Sequence, residues 1–594
     1  MQVTRCIWQG FTPLSVFAYL AWEDQQTVFW HETLFSTSLA SQKGSRPLTY
    51  HWQTLLILPY NRDMSRSEEI LINGAGPTGL LLASQLALRD VAFRIIDKNA
   101  DHTTQSRALV VQARSLEIFD QMEIAQEALR LGEKAQAVGI IVNGKRMLRM
   151  DVSDIGEGLT AYPYLLMLEQ SNTEKILNTF LVQHGHAVER NTELLDFTQD
   201  ADSVTATLRH ADGKEEIVRA DWLVGADGAH SLVRHTLSIP FSGRIYQQLL
   251  FVLDCKVNLD VPSDEMYLAF SARALAGFFP MTNGRYRVIG MVPEAFEGQE
   301  TITFEDVAKD FAERLQMDVT LQDPQWIAMY HSHHRAVAAF RKGRCFLAGD
   351  AAHIHSPVGA QGMNTGLQDA YNLAWKLALV AQGKAKEPLL DTYNDERLPV
   401  AHNLVRTTDR AFNIFTSQNP LAKGFRVNVV PVVMQAVLPF AQKQKFVRQL
   451  AFKTISEIGI HYRESNLSQE DPQSQFPRHA PKPGDRVPYI PLQEHSVGIQ
   501  EMVKGTKFHL VLYVGEGADE KTQQELDELK KEYSDFIDFN EVVVSDKTRV
   551  LYEKFGIRRQ GYYFIRPDGH IASRNSHLDV ELFRSYLQRF LIKR

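Results

Sequence analysis

From Glu68 onward, apolar and polar positions fall into a regular order. Ile70-Leu71-Ile72 is a short apolar run that ends in a Gly-rich turn, residues 80–88 carry a helical pattern, and 92–96 read as a second strand. Strand, helix and strand make a βαβ opening. Across 137–340 strand-like segments dominate, as at 203–209, 249–257 and 286–292, with helical patterns over 172–184 and 304–315 between them. Helix prevails from 366 to about 458. The polar stretch 469–483, with Pro472, Pro477, Pro481 and Pro483, is the best linker candidate. Beyond it the pattern predicts a separate α/β unit, with strands over 508–514, 539–544 and 562–565 and helices over 520–533 and 580–591.

The first 63 residues break this order. They hold Trp8, Trp22, Trp30 and Trp52, four of the chain's seven tryptophans, without a sustained helical or strand period. Arg5 before an apolar run hints at a targeting segment, but the cleavage pattern is poor. An extension without fixed structure, ahead of a natural start at Met64, is the better reading. Apolar runs at 11–22 and 429–441 fall short of the roughly 20 residues a membrane-spanning helix needs, so a soluble protein is expected. A net charge of −7 and a pI near 6.3 give no reason to expect nucleic acid or an anionic membrane as partner. Cys6, Cys255 and Cys345 are far apart and form no C-x-x-C, which argues against a disulfide-stapled secreted protein and suits the cytoplasm.

Three motifs carry chemistry. Gly74-Ala75-Gly76-Pro77-Thr78-Gly79 is a G-x-G-x-x-G between strand and helix. Gly74 permits the tight turn, Gly76 lets the backbone approach a pyrophosphate, and Gly79 allows close helix–strand packing. The helix opened by Pro77 then offers free N–H groups to the phosphates. Asp97, followed by Lys98, closes the second strand where an acidic side chain accepts from ribose hydroxyls. These residues mark a dinucleotide site without separating FAD from NAD. The second motif, Trp222 to Gly228, is a strand running into the Asp227-Gly228 turn. The third runs from Gly343 to Ala370 and is the most specific. Its strand ends at Gly349-Asp350, where a carboxylate meets a sugar-alcohol hydroxyl. Gly359, Gly362 and Gly366 then bring a loop close to a flat ring. The N–H groups of Gly362, Met363 and Asn364, at a helix start, are placed to stabilise negative charge on a reduced flavin.

With the motifs in this order over roughly 68–400, the chain resembles the FAD-dependent aromatic hydroxylases, the flavoprotein monooxygenases that include para-hydroxybenzoate hydroxylase and phenol hydroxylase. The resemblance implies an α/β fold with a Rossmann-like FAD-binding domain interleaved with a mixed-sheet substrate domain (64–400). A helical segment (401–470) completes the core, and a thioredoxin-like domain (484–594) follows. It implies bound FAD, NAD(P)H as a transient co-substrate, O2, and a phenolic or polycyclic aromatic substrate hydroxylated through a flavin hydroperoxide. It also places Arg107, in Ser106-Arg107-Ala108, near the cofactor phosphates, and Gln170, with Glu174 following, on the flavin nucleotide. Asp227 then serves both FAD and NAD(P)H, Asp350 meets the ribityl chain, and the Pro357 carbonyl faces the oxygen-reacting edge of the flavin. The run from Asp391 to Arg397 packs the long helix. In the last unit the resemblance rests on residues 484–488 and 566–571. No cysteine lies there, so thiol redox chemistry is excluded and a structural or homodimer-contact role remains.

Acid and base stay unassigned. Tyr246 and Tyr267 are candidates for deprotonating a phenol, though a tyrosine near a strand is usually core. Phe270, Phe278, Phe279 and Met281 line a pocket or pack a core. His331 and His333 fall on the strand face opposite His334, so no metal site is expected; His353 and His355 belong to the flavin loop. Two other readings stay open. One is another flavin oxidoreductase on this fold, a reductase or a halogenase, although no W-x-W-x-I-P segment is present. The other is a flavin-binding module without turnover.

Overall fold

The computed structural model describes residues 68–593 apart from 104–107, 297–298, 300, 357–358, most of 417–443, 491–497 and 516–519. The N-terminal extension, Arg107 and Pro357 therefore lie outside the described residues. In chain order, β1 (Glu68–Asn73), α1 (Pro77–Ala87) and β2 (Phe93–Asp97) form the βαβ opening. They are followed by α2 (Gln170–Gln183), β3 (Glu215–Gly225), β4 (Phe241–Asn258), β5 (Thr320–Val337) and β6 (Cys345–Leu347). Helices α3 (Gly362–Ala381) and α4 (Asp391–Thr416) come next.

In the first sheet β1 lies between β2 and β3, parallel to both, and β6 is parallel to β3 on its far side. A parallel sheet is covered on both faces, which is why its strands are continuous apolar runs. Ile70, Leu71, Ile72, Leu223 and Val224 are completely buried, as are Leu80, Leu81 and Leu82 of α1.

The second sheet has eight strands, and its spine is the long antiparallel ribbon of β4 and β5, paired from Phe241 opposite Val337 to Asn258 opposite Thr320. The far end of β5 also pairs with His353–Ile354, only a few residues beyond β6. The loop after β6 is thus bonded to the second sheet while it leaves the first. The helix expected over 304–315 is two short helices, Phe304–Ala308 and Phe311–Leu315. The break brings the Phe311 ring edge-on to Phe251 and Phe278. Phe278 is therefore core, while Phe279 and Met281, alternating on the same strand, pack toward the first sheet's core.

A third sheet of five strands forms the C-terminal unit: Phe508–Gly515, Ile537–Val543, Gly561–Ile565, Ile571–Asn575 and the two-residue Gln469–Glu470. Helices Glu520–Tyr533 and Val580–Phe590 match the sequence pattern closely. The stretch 469–483 is less free than a linker. Its first residues pair with Ile571–Asn575, Ser474 Oγ donates to Asn575 Oδ1 at 2.9 Å, and Ala480 is buried. Proline removes only its own donor, and the remaining polar groups bind the sheet edge. Among the described residues no helix is long and apolar enough to cross a membrane.

Candidate active site

The three motifs follow the carboxyl ends of β1, β3 and β6, with Asp97 at the end of β2, so they meet at one edge of the parallel sheet. Gly74 has φ +108°, and its N–H donates to Ile96 O at 2.8 Å. A Cβ on Gly79 would stand 1.9 Å from Gly74 O, and one on Gly74 would stand 2.4 Å from Ala226 O. Two missing side chains thus let α1 press its first turn onto the strand end. A Cβ on Gly76 would meet nothing within 4 Å, so the loop is open there, beside the first N–H groups of α1, which have no intrahelical acceptor. Pro77 takes the first helical position, where its missing N–H costs nothing. Asp97 Oδ2 accepts from the Ala75 N–H at 2.7 Å and Oδ1 from the Asn99 N–H at 2.8 Å, while Lys98 is exposed.

Asp227 closes on the same loop. Its Oδ2 accepts from Asn73 Nδ2 at 3.1 Å and from the Leu232 N–H at 2.8 Å. Oδ1 is buried without a hydrogen-bond partner among the described residues. Burial pushes this carboxyl above its ordinary range. A spare acceptor beside an open helix N-terminus fits a ligand carrying both phosphates and hydroxyls. Gln170 Oε1 accepts from the Ala108 N–H at 3.3 Å, and its amide donates to Glu174, whose other oxygen accepts from the Thr103 N–H at 3.0 Å. The pair brackets segment 104–107, which contains Arg107.

The third motif packs against the first at Thr78. A Cβ on Gly349 (φ +60°) would stand 2.6 Å from Thr78 Oγ1, and one on Gly366 2.5 Å from the same atom. Asp350 is exposed at this turn. The Gly349 N–H donates to Asp369 Oδ2 at 3.0 Å; His353 Nε2 lies 2.7 Å from that oxygen, and Arg397 Nε donates to Oδ1 at 2.6 Å. Burial opposes the charge on Asp369, but Arg397 and His353 outweigh it and lower its pKa. The Asn364 side chain is consumed structurally, accepting from the Gln112 N–H and the Ser115 hydroxyl at 2.8 Å each and donating to Val110 O at 2.9 Å. This leaves the main-chain N–H groups of Gly362, Met363 and Asn364 as the donors of the α3 N-terminus. Burial holds His355 down to about 4, so its ring is neutral. Its Nδ1 lies 2.8 Å from Ser356 O, and its Nε2 has no partner among the described residues.

On the second sheet the Tyr246 hydroxyl of β4 donates to Asp409 Oδ1 of α4 at 2.5 Å. The Phe412 ring lies 4.3 Å from the Tyr246 ring, and His334 Nδ1 is 3.8 Å from Asp409. Burial first, then Asp409, raises the tyrosine well above its ordinary value. Asp409 follows Thr408, whose carbonyl accepts from Ser356 of the loop after β6 at 3.4 Å. Tyr267 has a different setting: its hydroxyl donates to Glu265 at 2.8 Å, a carboxylate also held by Arg149, inside the second sheet's core. Sequence reading could not single out Asp409, which lies 163 positions from Tyr246 and in no motif.

Glu457, just beyond the helix Lys445–Ile455, ties that helix to α3. It accepts from the Thr365 hydroxyl at 2.6 Å and from the Gln368 amide. Burial lifts it to about 8, against a smaller lowering by Thr365 and Arg397. Because the folded value lies above the unfolded one of 4.5, its stabilising contribution is complete below that value and is lost as pH rises through about 8. Thermal unfolding of the protein should show Tm falling over this window, and Glu457→Gln should flatten the slope. An identical slope in the variant would count against this assignment.

Three motifs at one edge of the parallel sheet, a spare carboxylate oxygen and an open helix N-terminus are the marks of a dinucleotide-binding α/β protein, with a second sheet beside the site. The FAD binding domain family matches residues 67–408. The chain is 33% identical over 545 residues to 6-methylpretetramide 4-monooxygenase of Streptomyces rimosus, covering 88% of this chain and 93% of the relative. It is 30% identical over 475 residues to pentachlorophenol 4-monooxygenase of Sphingobium chlorophenolicum, covering 79% and 84%. A ternary complex of aklavinone-11 hydroxylase with FAD and aklavinone matches with a TM-score of 0.72 at 25% identity, over 89% of this chain and 99% of that one. The chain belongs to the FAD-dependent aromatic hydroxylase family, and it is an FAD-dependent monooxygenase.

Proposed function

We propose that this monooxygenase hydroxylates a phenolic or polycyclic aromatic ring, with NAD(P)H and O2 as co-substrates, in the cytoplasm. The observation that carries the reading is the Tyr246–Asp409 pair beside the flavin loop, flanked by Phe412, Leu250 and Met291. The names of the relatives, a 6-methylpretetramide monooxygenase, a pentachlorophenol monooxygenase and an aklavinone-11 hydroxylase, support the same substrate class.

Bound FAD supplies the redox chemistry, taking reducing equivalents from NAD(P)H and activating O2. The open face at Gly76, with the α1 N-terminus, would hold its pyrophosphate, Asp97 a ribose, and Asp350 the ribityl chain. The N–H groups of Gly362, Met363 and Asn364 would hold the ring's polar edge. Lys98, Arg107, Gln170, Asp227 and Pro357 complete the cofactor set. Tyr246 gives its own proton's hydrogen bond to Asp409, which leaves its oxygen lone pairs to accept from a substrate hydroxyl. A phenol proton can then pass to Tyr246 oxygen as the tyrosine proton passes to Asp409, raising electron density on the ring to be hydroxylated. The C-terminal unit takes a thioredoxin-like arrangement in this reading, and a homodimer is the expected assembly.

Tyr246→Phe should lower kcat for a phenolic substrate by about 100-fold, while NAD(P)H oxidation without an aromatic stays unchanged. Equal kcat for the variant and the parent across pH 6–9 would remove Tyr246 from the proton path.

A further inference from the structure

We propose that the turn Arg566-Pro567-Asp568-Gly569-His570 of the C-terminal sheet is a positioning element of the cofactor site. It sets the Gly349-Asp350 turn and the start of α3 through two chains of buried side chains. The turn is buried, with Arg566 and Asp568 at 1% exposure, so it contacts no external partner. It is inserted between α3 and α4 instead. Arg566 donates to both carboxylate oxygens of Glu396 at 2.6 and 2.9 Å, Asp568 accepts from Trp375 Nε1 at 3.2 Å, and Pro567 O accepts from the Tyr371 hydroxyl at 3.0 Å.

The first chain starts at Tyr462, whose ring lies 4.4 Å from the His570 ring and 5.2 Å from the Arg566 guanidinium. The Tyr462 hydroxyl accepts from Arg397 Nη1 at 2.9 Å, Arg397 donates to Asp369 at 2.6 Å, and Asp369 accepts the Gly349 N–H at 3.0 Å. The second starts at the Asp568 carbonyl, which accepts from Arg114 at 2.5 Å. Arg114 stands between Gln112 and Ser115, the two donors that hold Asn364 Oδ1 at the α3 start. Arg397 and Asn364 are fully inaccessible and Arg114 and Tyr462 nearly so. Close-packed interiors pass displacements on instead of absorbing them. A shift of the turn therefore moves both walls of the flavin loop. With no cysteine in the unit, placement of this loop is the role the contacts assign to it.

Tyr462→Phe tests the chain with little threat to folding, because it keeps the ring and deletes one hydroxyl. The matched control is Tyr563→Phe, which deletes a hydroxyl buried in the same unit, bonded to Phe555 O at 2.7 Å and off both chains. Both full-length proteins would be compared for apoprotein Tm, FAD dissociation constant and the visible spectrum and reduction potential of the bound flavin. Tyr462→Phe is expected to weaken FAD by about tenfold, the effect of one unsatisfied buried partner, and to shift the flavin spectrum and potential. Tyr563→Phe is expected to lower Tm alone. If both variants lower Tm and neither changes the FAD constant, spectrum or potential, the turn is only a packing contact and the proposal fails. It fails equally if both change them to the same extent.

Discussion

Replacing Gly79 with alanine should give protein that purifies without flavin. The new Cβ would stand 1.9 Å from the carbonyl oxygen of Gly74, so α1 and the end of β1 must separate by about 1.5 Å or more to reach an ordinary contact of 3.4 Å. Both partners are backbone at the hinge of the Gly-rich turn, and no flexible side chain can give way. Overpacking of this kind costs about 3 kcal/mol, and if the helix start is displaced, that corresponds to roughly a hundredfold in FAD affinity. Gly76→Ala is the informative contrast. Its Cβ meets no protein atom within 4 Å, so the apoprotein should keep its Tm while losing FAD, because the methyl group projects into the open face. Flavin-to-protein ratio and apoprotein Tm distinguish the two. A Gly79→Ala protein with full flavin and unchanged Tm would show that the α1 start does not hold the cofactor.

Glu396→Gln is expected to cost the most stability. Glu396 accepts from Arg566 twice, from Lys376 Nζ at 2.8 Å and from Asn372 Nδ2 at 2.7 Å, all out of water. Burial alone would raise its pKa, but Arg566 and then Lys376 outweigh burial and bring it to about 2. Lys376 goes the other way, down to about 8, because burial dominates there and Arg566 repels it. The carboxylate faces two cations; the lysine shares one anion. Glutamine keeps the shape and strands Lys376, while Arg566 keeps Asp568, and breaking a buried pair costs about 3–5 kcal/mol. Since the folded carboxyl lies below the unfolded value of 4.5, its contribution is present above that pH and is lost as pH falls toward about 2. Urea unfolding at pH 7 should show the loss, and the variant should lack this part of the wild-type acid sensitivity. A loss under about 1 kcal/mol, the scale of an exposed pair, would mean that the cluster is hydrated and not buried.

Local order was legible in the sequence, and long-range order was not. The β1–α1–β2 opening and the helix Glu520–Tyr533 of the C-terminal unit are encoded by apolar spacing over a dozen residues, which a reading of periodicity captures. The cofactor loops were legible because a tight turn and a close helix approach demand glycine at fixed positions, and Gly74, Gly79, Gly349 and Gly366 each occupy space that a Cβ would fill. The break between Ala308 and Phe311 was invisible because it answers to Phe251 and Phe278, remote in sequence. Tyr246 and Tyr267 looked alike as strand tyrosines; only Asp409 beside one and Glu265 beside the other separates them. Buried charge left no local trace: Glu396, Lys376 and Arg566 meet in the interior across 170 and 190 positions, and no local pattern records such a pairing. The proline-bearing stretch 469–483 misled, since its role depends on a sheet edge about a hundred residues later.

The most direct test is to give the FAD-loaded enzyme NAD(P)H and 18O2 with a panel of phenols and polycyclic aromatics, and to weigh the products. The expected result is NAD(P)H oxidation stimulated by at least one aromatic, with one atom of 18O in its hydroxylated product. Aromatic products that are reduced or halogenated and carry no 18O, or bound FAD that no aromatic in the panel stimulates, would contradict the assignment as an aromatic hydroxylase.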